Sequence, residues 1–370
     1  MQFLIANDIP SPWREPVFER VHRSFGGDVR VVYFKENEKR RLWTFAMGDY
    51  PKTILPGWTV TTRGTERFLN PGIVPLLWRE RPKAAMIIAN IKDPTALLAL
   101  ATCRCLRIPV ALLDDSWHGR DRDINGLQRK ARSVFYNAFG EAFIGASRQT
   151  LAMFRTYNPR IRDEQCFLSH LVADNEYFER RLAGRCPVRD FDLLFAGRIV
   201  AVKNPGFFAR VCAGVKQRRG RCRVLIMGEG EASLKAEMRA IFDEAGVEYD
   251  FAGFIPHADL PDYYARARLL LLPTSGDCWG VVLNEAMVAG TPVLTTDLTA
   301  AAGELVLHED NGCILPLGLR AWVEAAVRLL DDGERWEAFS RRARARVAEF
   351  NFDRAAQGIV DALRFLSSRA

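Results

Sequence analysis

The chain has 370 residues, 48% of them hydrophobic and 26% charged, which is an ordinary balance for a globular protein. This composition excludes a disordered chain, a collagen-like fibre and a coiled-coil rod, and the length suits two or three domains. No apolar run approaches the roughly 18 residues of a membrane-spanning helix. The best candidates, 84–91 and 96–103, stop at Lys92 and Arg104.

The net charge of +7 is unevenly distributed along the chain. Residues 1–190 hold 30 Lys and Arg against 21 Asp and Glu, a net charge of +9, whereas residues 191–370 hold 22 against 24, a net charge of −2. A basic first half suits nucleic acid, an anionic membrane surface or an acidic substrate, and it equally suits a solvated basic surface. Nucleic-acid binding rests on this charge alone and is not predicted.

The N-terminus and the cysteines indicate the compartment. MQFLIANDIP lacks the positively charged start and the small-residue cleavage site of a signal peptide, and it predicts a strand that begins the fold. The eight cysteines form no CxxC pair, and Cys103 and Cys105 are too close for the usual zinc spacing. We therefore expect free thiols in a reducing, cytoplasmic environment.

Short apolar runs alternate with amphipathic stretches in chain order. The runs that predict buried strands are QFLIA, VRVVYF, AAMIIA and IPVALLD in the first half, and DLLFAGR, CRVLIMG, YDFAGF, LLLLP and TPVLTT in the second. Helical patterns such as 93–105 and 207–217 lie between them. Buried strands separated by helices are typical of an α/β protein whose parallel sheets carry helices on both faces.

The predicted strands fall into two groups, roughly 1–145 and 191–315, with a linker-like segment near 182–191. We therefore predict two doubly wound, Rossmann-like domains that face each other across a cleft. The predicted bounds are 1–185 for the first domain, 186–350 for the second, and 351–370 for a C-terminal helix that can pack back on the first. Ligands of open parallel sheets bind at the carboxyl ends of strands, so the residues after each strand are the candidates.

Basic residues and glycines follow two strands of the second half. Arg198 and Lys203 leave the strand DLLFAG, and two cations on such a loop suit a diphosphate, although they can also be exposed residues on a turn. Gly228 and Gly230 follow CRVLI, where they allow a tight turn or a close approach to a ligand. The dinucleotide fingerprint GxGxxG is absent because Ser233 takes its third place, which disfavours a Rossmann dehydrogenase.

The segment DCWGVVLNEAMVAGTPVL places two carboxylates around a helix start. Asp277 lies in a loop before a helix predicted over Val281–Ala289, and Glu285 lies within that helix. Carboxylates accept hydrogen bonds from vicinal hydroxyls, so a sugar or a ribose suits both. Asp277 can instead cap the helix, and Glu285 can be a solvated residue or one that needs a partner. Further on, small residues in LTAAAGELV precede a predicted helix and leave N–H groups free for an anion.

The ordered series GRIVAVK, GEGE, GFIPHADLPDYYARA, DCWGVVLNEAMVAGTPV and HEDNGCIL resembles glycosyltransferase family 4, the group 1 retaining enzymes of the GT-B fold. The resemblance covers about residues 191–316 well and the first half only loosely. It implies a nucleotide-diphosphate sugar, a UDP-sugar or a GDP-sugar, as co-substrate. It also implies that the protein needs no metal and no other cofactor.

The resemblance also implies roles for individual residues. Arg198 and Lys203 would hold the donor diphosphate, Asp277 would face the sugar, and Glu285 would hold the ribose. The other implied donor-binding residues are Gly230, Cys278, Trp279, Gly280, Val281, Ala302 and Gly303, and the implied catalytic residues are Asp277, Arg198, Lys203 and His118. The chain departs from the family pattern at Asp277, where Glu is usual, at Asn204, where Gly is usual, and in the first loop, NDIPSPWREP, which is not Gly-rich.

The first half is expected to bind the acceptor, a saccharide or a lipid-linked saccharide. Arg14 would meet an acceptor phosphate, or it is a surface residue at a helix start. His118 would lie near the donor sugar and the acceptor, or it has no role in its loop. The acidic residues around it are read as a solvated loop and not as a metal site. The basic, aromatic stretch 128–143 can lie on an anionic membrane, or it packs its aromatic residues on the sheet.

The sequence thus predicts a hexosyltransferase-type, retaining glycosyltransferase in bacterial cell-surface polysaccharide or glycolipid synthesis. It is expected in the cytoplasm, with peripheral contact to the inner face of the membrane. The alternative is a non-catalytic GT-B subunit that supports a partner enzyme, which the departures at Asn204 and Asp277 would favour.

Overall fold

The computed structural model describes residues 2–37, 47–62, 65–116, 124–185 and 187–369. The chain divides into two compact units: Met1–Leu171 with Phe352–Ala370, and Val172–Asn351. Residues 172–185, which the sequence analysis assigned to the first domain, group with the second unit.

The described part of the first unit contains a parallel sheet with the strand order β3-β2-β1-β6-β7-β8-β9 and a separate antiparallel hairpin, β4-β5. The strands are β1 (Phe3–Asn7), β2 (Val29–Tyr33), β3 (Lys52–Ile54), β4 (Trp58–Thr62), β5 (Thr65–Leu69), β6 (Ala84–Ile88), β7 (Val110–Asp114), β8 (Ala142–Gly145) and β9 (Cys166–Leu168). The helices are α1 (Glu15–Ser24), α2 (Ile73–Glu80), α3 (Pro94–Leu106), α4 (Gly126–Phe139) and α5 (Arg148–Tyr157).

The second unit contains a parallel sheet with the order β12-β11-β10-β13-β14-β15. Its strands are β10 (Phe191–Ala196), β11 (Arg223–Met227), β12 (Glu248–Gly253), β13 (Ala267–Leu272), β14 (Val293–Thr295) and β15 (Gly312–Ile314). Its helices are α6 (Asn175–Leu182), α7 (Pro205–Arg219), α8 (Ala232–Ala245), α9 (Leu260–Ala265), α10 (Val281–Val288), α11 (Leu319–Asp331) and α12 (Gly333–Val347). The last helix of the chain, α13 (Phe352–Ser367), belongs to the first unit.

Both sheets have the doubly wound arrangement that the sequence predicts. Consecutive residues of β10, Leu193, Leu194 and Phe195, are all fully buried, which requires cover on both faces of the sheet. The strand order reverses between β1 and β6 in the first unit and between β10 and β13 in the second. Such a reversal opens a crevice at the carboxyl ends of the two strands, where ligands of this fold bind. The predicted α/β class with two doubly wound parallel sheets is therefore confirmed.

The C-terminal helix α13 completes the first unit. It packs against α1 and against β8 and β9, and Arg20 of α1 pairs with Asp353 at 2.5 Å. The helix lies so close to the sheet that a Cβ atom at Gly358 would meet the Leu168 carbonyl oxygen at 1.8 Å. Glycine at this position lets the backbone of α13 approach the end of β9.

The aromatic residues of α4 point into the core of the first unit. Phe135 and Tyr136 are 4% and 3% exposed, and the Tyr136 hydroxyl donates to Asp114 Oδ2 at 2.9 Å. A membrane contact through these rings, as the sequence left open, is therefore wrong, because their apolar surface is already buried against the sheet. The helix instead exposes Leu127 and Val134. None of the described helices combines the length and apolar character of a membrane span.

Candidate functional site

The loops that leave β10 and β13 meet at the point where the second sheet reverses its strand order. The Lys203 Nζ atom pairs with Asp277 Oδ2, and each side chain is 17% exposed. Lys203 ends a single 3-10 turn after β10, and Asp277 follows β13. The sheet topology thus brings together a cation and a carboxylate that lie 74 positions apart in the chain.

Several hydrogen bonds hold these two loops to each other. Asn204 Nδ2 donates to the Pro273 carbonyl at 2.7 Å, and the Ser275 N–H donates to the Val202 carbonyl at 2.8 Å. Asn204 adopts the left-handed conformation, with φ 49° and ψ 52°. Glycine accepts this conformation most easily and asparagine next. The departure from the family's usual Gly therefore preserves the backbone geometry and adds a bond to the neighbouring loop.

Gly228 and Gly230 are explained by backbone packing. A Cβ atom at Gly228 would lie 1.9 Å from the Gly197 carbonyl oxygen, and one at Gly230 would lie 2.0 Å from that of Ile199. The Ile199 N–H donates to the Glu229 carbonyl at 2.9 Å, so parallel pairing continues beyond β10 and β11. These glycines hold the loop that carries Arg198, whose side chain is exposed. A contact of Gly230 with a donor stays a prediction.

The segment after Asp277 is fixed before α10 begins. The Asp277 N–H donates to the Leu298 carbonyl at 3.0 Å, and the ring of Trp279 is fully buried, with Nε1 donating to Asn284 Oδ1 at 2.8 Å. Gly280, at φ 87°, precedes the first residue of α10. The predicted alternative for Asp277, a helix cap, does not occur, since its Oδ1 accepts from the Trp279 N–H at 3.4 Å, ahead of the helix, and the residue at the cap position is Gly280. Among the residues that the structure describes, no side chain accepts from the first N–H groups of this helix.

Glu285 of α10 is 8% exposed, and it has the partner that its apolar surroundings require. The hydroxyl of Tyr264, on α9, donates to Glu285 Oε2 at 2.5 Å. Burial raises the pKa of Glu285 to about 7, although the hydrogen bond from Tyr264 opposes that shift. Tyr264 is not among the site residues predicted from the sequence. An acidic residue within an apolar helix indicated that Glu285 needs a hydrogen-bond partner. The sequence pattern could not identify which residue supplies that partner.

The sequence predicted a helix after Ala302 and Gly303, but the structure has none there. Residues 299–306 form turns, in which the Ala302 N–H donates to the Thr299 carbonyl at 3.0 Å and the Gly303 N–H donates to the Val306 carbonyl at 2.9 Å. Their N–H groups are therefore used within the loop. The short polar and small residues here favour a series of turns over a helix. A donor contact at these residues stays a prediction.

In the first unit, Arg14 directly precedes α1 and is 3% exposed. Its Nη2 atom pairs with Asp115 Oδ1 at 2.6 Å, and Nη1 donates to Ser169 Oγ at 2.9 Å. Arg14 is thus neither a surface residue nor an uncompensated cation, and its acceptor role stays a prediction. His118 lies outside the described residues. Among the residues that the structure describes, no group of three or more His, Cys, Asp and Glu is placed to hold a metal ion.

Residues 190–332 match the model of the family described as "Glycosyl transferases group 1". A curated relative, D-inositol 3-phosphate glycosyltransferase of Kineococcus radiotolerans, is 29% identical over 192 residues, which are 46% of this chain and 43% of that protein. The chain thus spans less than half the length of this relative.

Two solved structures resemble the whole chain. The Anabaena protein HepE in complex with UDP is 16% identical with a TM-score of 0.73, and the match covers 98% of this chain and 100% of that one. Sucrose-phosphate synthase from Thermosynechococcus elongatus is 16% identical with a TM-score of 0.71, over 100% of both chains. The chain therefore has the fold of the GT-B glycosyltransferases, and its residues 190–332 match the group 1 glycosyltransferase family.

Proposed function

We propose that this protein is a retaining, hexosyltransferase-type glycosyltransferase of family 4 that transfers a sugar from a nucleotide-diphosphate sugar to an acceptor. The observation that carries the proposal is the meeting of Lys203 and Asp277 at the strand reversal of the second sheet. This is the place where the fold binds ligands, and the two side chains supply the charges that a sugar diphosphate needs. The family match over residues 190–332 supports it.

The donor, a UDP-sugar or a GDP-sugar, would lie on the second unit. Its diphosphate would contact Arg198 and Lys203, its sugar would face Asp277, and its ribose would bind Glu285. The backbone of 278–281 and the start of α10 would line the sugar and the phosphates, since an uncapped helix start favours an anion. That HepE is solved with UDP supports a uridine nucleotide as the first donor to test.

The reaction would proceed on one face of the sugar, which retains the anomeric configuration. The acceptor oxygen forms its bond to the anomeric carbon on the face from which the diphosphate leaves, and a phosphate oxygen of the leaving group takes the acceptor proton. Negative charge grows on the diphosphate as the glycosidic bond to it breaks. Arg198 and Lys203 would stabilise that charge, so no enzyme nucleophile is required.

The acceptor, a saccharide or a lipid-linked saccharide of a cell-surface polymer or glycolipid, would bind the first unit. Arg14 and His118 are the candidate contacts. Arg14 would meet an acceptor phosphate only by giving up part of its pairing with Asp115, because the guanidinium is already engaged. Such a pathway would place the protein in the cytoplasm, at the inner face of the membrane.

The net charge of +9 over residues 1–190 supports peripheral contact with an anionic membrane. The surface we propose is the exposed face of α4, where Leu127, Lys130 and Val134 share one side because they are three and four residues apart. Leu127 is 78% and Val134 60% exposed. Apolar side chains beside Lys130 suit the boundary between headgroups and acyl chains.

One of the two observations that favoured the alternative, a non-catalytic subunit, no longer supports it. Asn204 keeps the left-handed backbone that a Gly would supply, so this departure leaves the loop of Lys203 intact. The substitution of Asp277 for the usual Glu shortens the side chain by one methylene and keeps its charge. We therefore favour the enzyme.

The test uses the purified protein alone. Thermal stability and calorimetry with UDP, GDP and a panel of their sugars should identify one nucleotide whose binding is weakened at least tenfold by Lys203→Ala. Arg218→Ala, which removes an exposed charge at the end of α7, is the matched control and should leave binding unchanged. Binding of a donor without hydrolysis or transfer to any acceptor would favour the non-catalytic subunit, and no binding of any nucleotide would overturn the proposal.

A further inference from the structure

The contact between Tyr264 and Glu285 engages only one oxygen of the carboxylate. The Tyr264 hydroxyl donates to Oε2, and Oε1 has no hydrogen-bond partner among the described residues. Glu285 retains 8% exposure, whereas Tyr264 is 1% exposed. The carboxylate therefore has one side fastened to the protein and one side available to a ligand.

Tyr264 is itself held in place from two directions. Its carbonyl accepts a hydrogen bond from Thr291 Oγ1 at 2.9 Å, and its ring lies 6.1 Å from that of Phe178 on α6. The first contact fixes the backbone of α9 at this residue, and close packing around the buried ring restricts its movement. The position of Glu285 Oε2 is thus set by α9 and by the turn after α10.

We propose that Tyr264 is a positioning residue for nucleotide binding: its hydroxyl holds Glu285 Oε2 and leaves Oε1 to accept a hydrogen bond from a ribose hydroxyl. This inference rests on the proposed function, because it takes Glu285 as the ribose contact. It adds a residue that does not touch the ligand, and it makes nucleotide affinity depend on pH. An ionised carboxylate accepts hydrogen bonds from hydroxyls more strongly than a neutral carboxyl group does.

The surroundings of Glu285 leave this role to Tyr264. Helix α10 packs against α6, α9, α12, β13 and β14. Two cations on these elements are engaged away from Glu285: Arg181 of α6 pairs with Asp262 of α9, and Arg344 of α12 donates to the Ala289 carbonyl beyond the end of α10. In the described residues of these elements, the ionisable group in contact with Glu285 is Tyr264.

The pH dependence follows from burial and from this hydrogen bond. Burial raises the pKa of Glu285 to about 7, and donation by Tyr264 lowers it, because the hydroxyl stabilises the ionised form. The ribose contribution to binding should therefore increase as the pH rises through about 7. Removal of the hydroxyl should move this transition upward by about one pH unit, given what a hydrogen bond to a charged group contributes.

The experiment measures the affinity of the full chain for UDP and for 2′,3′-dideoxy-UDP between pH 5.5 and 9. The ratio of the two affinities isolates the ribose hydroxyls from the ionisation of the diphosphate. In Tyr264→Phe this ratio should be at least fivefold lower at pH 7 and should recover toward the wild-type value at pH 9. Tyr263→Phe is the control, since Tyr263 lies on the same helix and its hydroxyl has no partner among the described residues.

A ratio that falls by the same factor at every pH, or that does not change, would overturn the positioning role. A second readout uses the free protein and follows the difference in Tm between Glu285→Gln and its parent against pH. The pH at which this difference changes should move upward when both proteins also carry Tyr264→Phe. If the wild-type chain binds no UDP, the proposed function fails, whereas the second readout still tests the contact. An unshifted Tm profile contradicts the inference even if UDP binds.

Discussion

Lys203 and Asp277 neutralise each other at the carboxyl ends of β10 and β13. In the proposed reaction, a donor diphosphate would have to compete with the Asp277 carboxylate for the lysine, or bind beside the pair. Each residue is only 17% exposed, so the pairing is better shielded from solvent than a surface ion pair. The two residues form one electrostatic unit, and a change in either alters the charge that the other presents.

The first prediction concerns Asp277→Asn, which removes the competitor of the diphosphate. We expect the affinity for UDP to stay the same or to increase severalfold, because Lys203 is released. Transfer should fall by roughly 100-fold or more, on the scale of a lost electrostatic contact in the transition state. Calorimetry with UDP and kinetics with the intact donor measure the two effects. A loss of UDP affinity like that of Lys203→Ala would show that Asp277 supports the diphosphate site instead.

The second prediction concerns the two cations after β10. Lys203→Ala and Arg198→Ala should each lower kcat/KM, because each would lose its proposed contact to the leaving group. The loss should correspond to about 2–4 kcal/mol of transition-state free energy. Arg218→Ala should have normal kinetics. Circular dichroism and Tm identify any variant that fails to fold. Near-normal turnover in both folded variants would remove the diphosphate assignment.

The third prediction links Glu285 to stability. Burial raises its pKa from 4.5 to about 7, so the folded protein holds this proton more tightly than the unfolded chain does. The stability from Glu285 is therefore full below about pH 4.5 and is lost as the pH rises through about 7. Glu285→Gln should weaken UDP binding, yet it should gain up to about 3 kcal/mol of stability above pH 7. Thermal denaturation at pH 5 and pH 8.5 compares the proteins, and an equal difference at both pH values would contradict this pKa.

The fourth prediction tests the left-handed residue before α7. Asn204→Ala should destabilise the protein by roughly 1–2 kcal/mol, because alanine is strained at φ 49°. It also loses the hydrogen bond to the Pro273 carbonyl. Asn204→Gly keeps the conformation and should retain most of the activity. Denaturant unfolding and donor kinetics measure both. Equal losses for Gly and Ala would show that the side-chain bond, and not the backbone, decides.

The fifth prediction concerns the membrane. The protein should sediment with anionic vesicles at low salt, with much weaker binding at high salt or on neutral vesicles. Leu127→Ser with Val134→Ser should reduce this binding, because the pair supplies the exposed apolar surface of α4. The matched control is Leu317→Ser, an exposed apolar residue of the second unit. If the wild-type protein sediments with vesicles under none of these conditions, the proposed membrane contact is wrong.

Most of the buried strands of four or more residues could be predicted from the sequence, as could the short strand β14, whereas three other short strands could not. Each of the nine apolar runs overlaps one strand of the structure. The strands β3, β9 and β15 have only three residues each, too few to show a pattern, and their formation depends on neighbours already in place. The hairpin β4-β5 was missed for another reason: its strands have five residues each, but they are rich in polar side chains and lack the continuous apolar run of a buried strand.

The candidate site was predictable where its residues follow strands. Lys203 and Asp277 were identified because each leaves a strand, but their contact depends on the neighbouring positions of β10 and β13, which no local pattern encodes. Tyr264 was missed for the same reason, since α9 and α10 meet only in the folded unit. The helix expected near Ala302 was wrong because small residues permit a helix start but do not require one.

The return of α13 to the first unit has a consequence for synthesis on the ribosome. The second unit is one continuous segment, so its parts are available as soon as they emerge. The first unit must wait for residues 352–370, and until then the surface that Ile359, Leu363 and Leu366 cover is open to water. Contacts between segments so distant in sequence form slowly, and exposed apolar surface invites aggregation in the meantime. The first half of this chain should therefore be the part that needs a chaperone during translation.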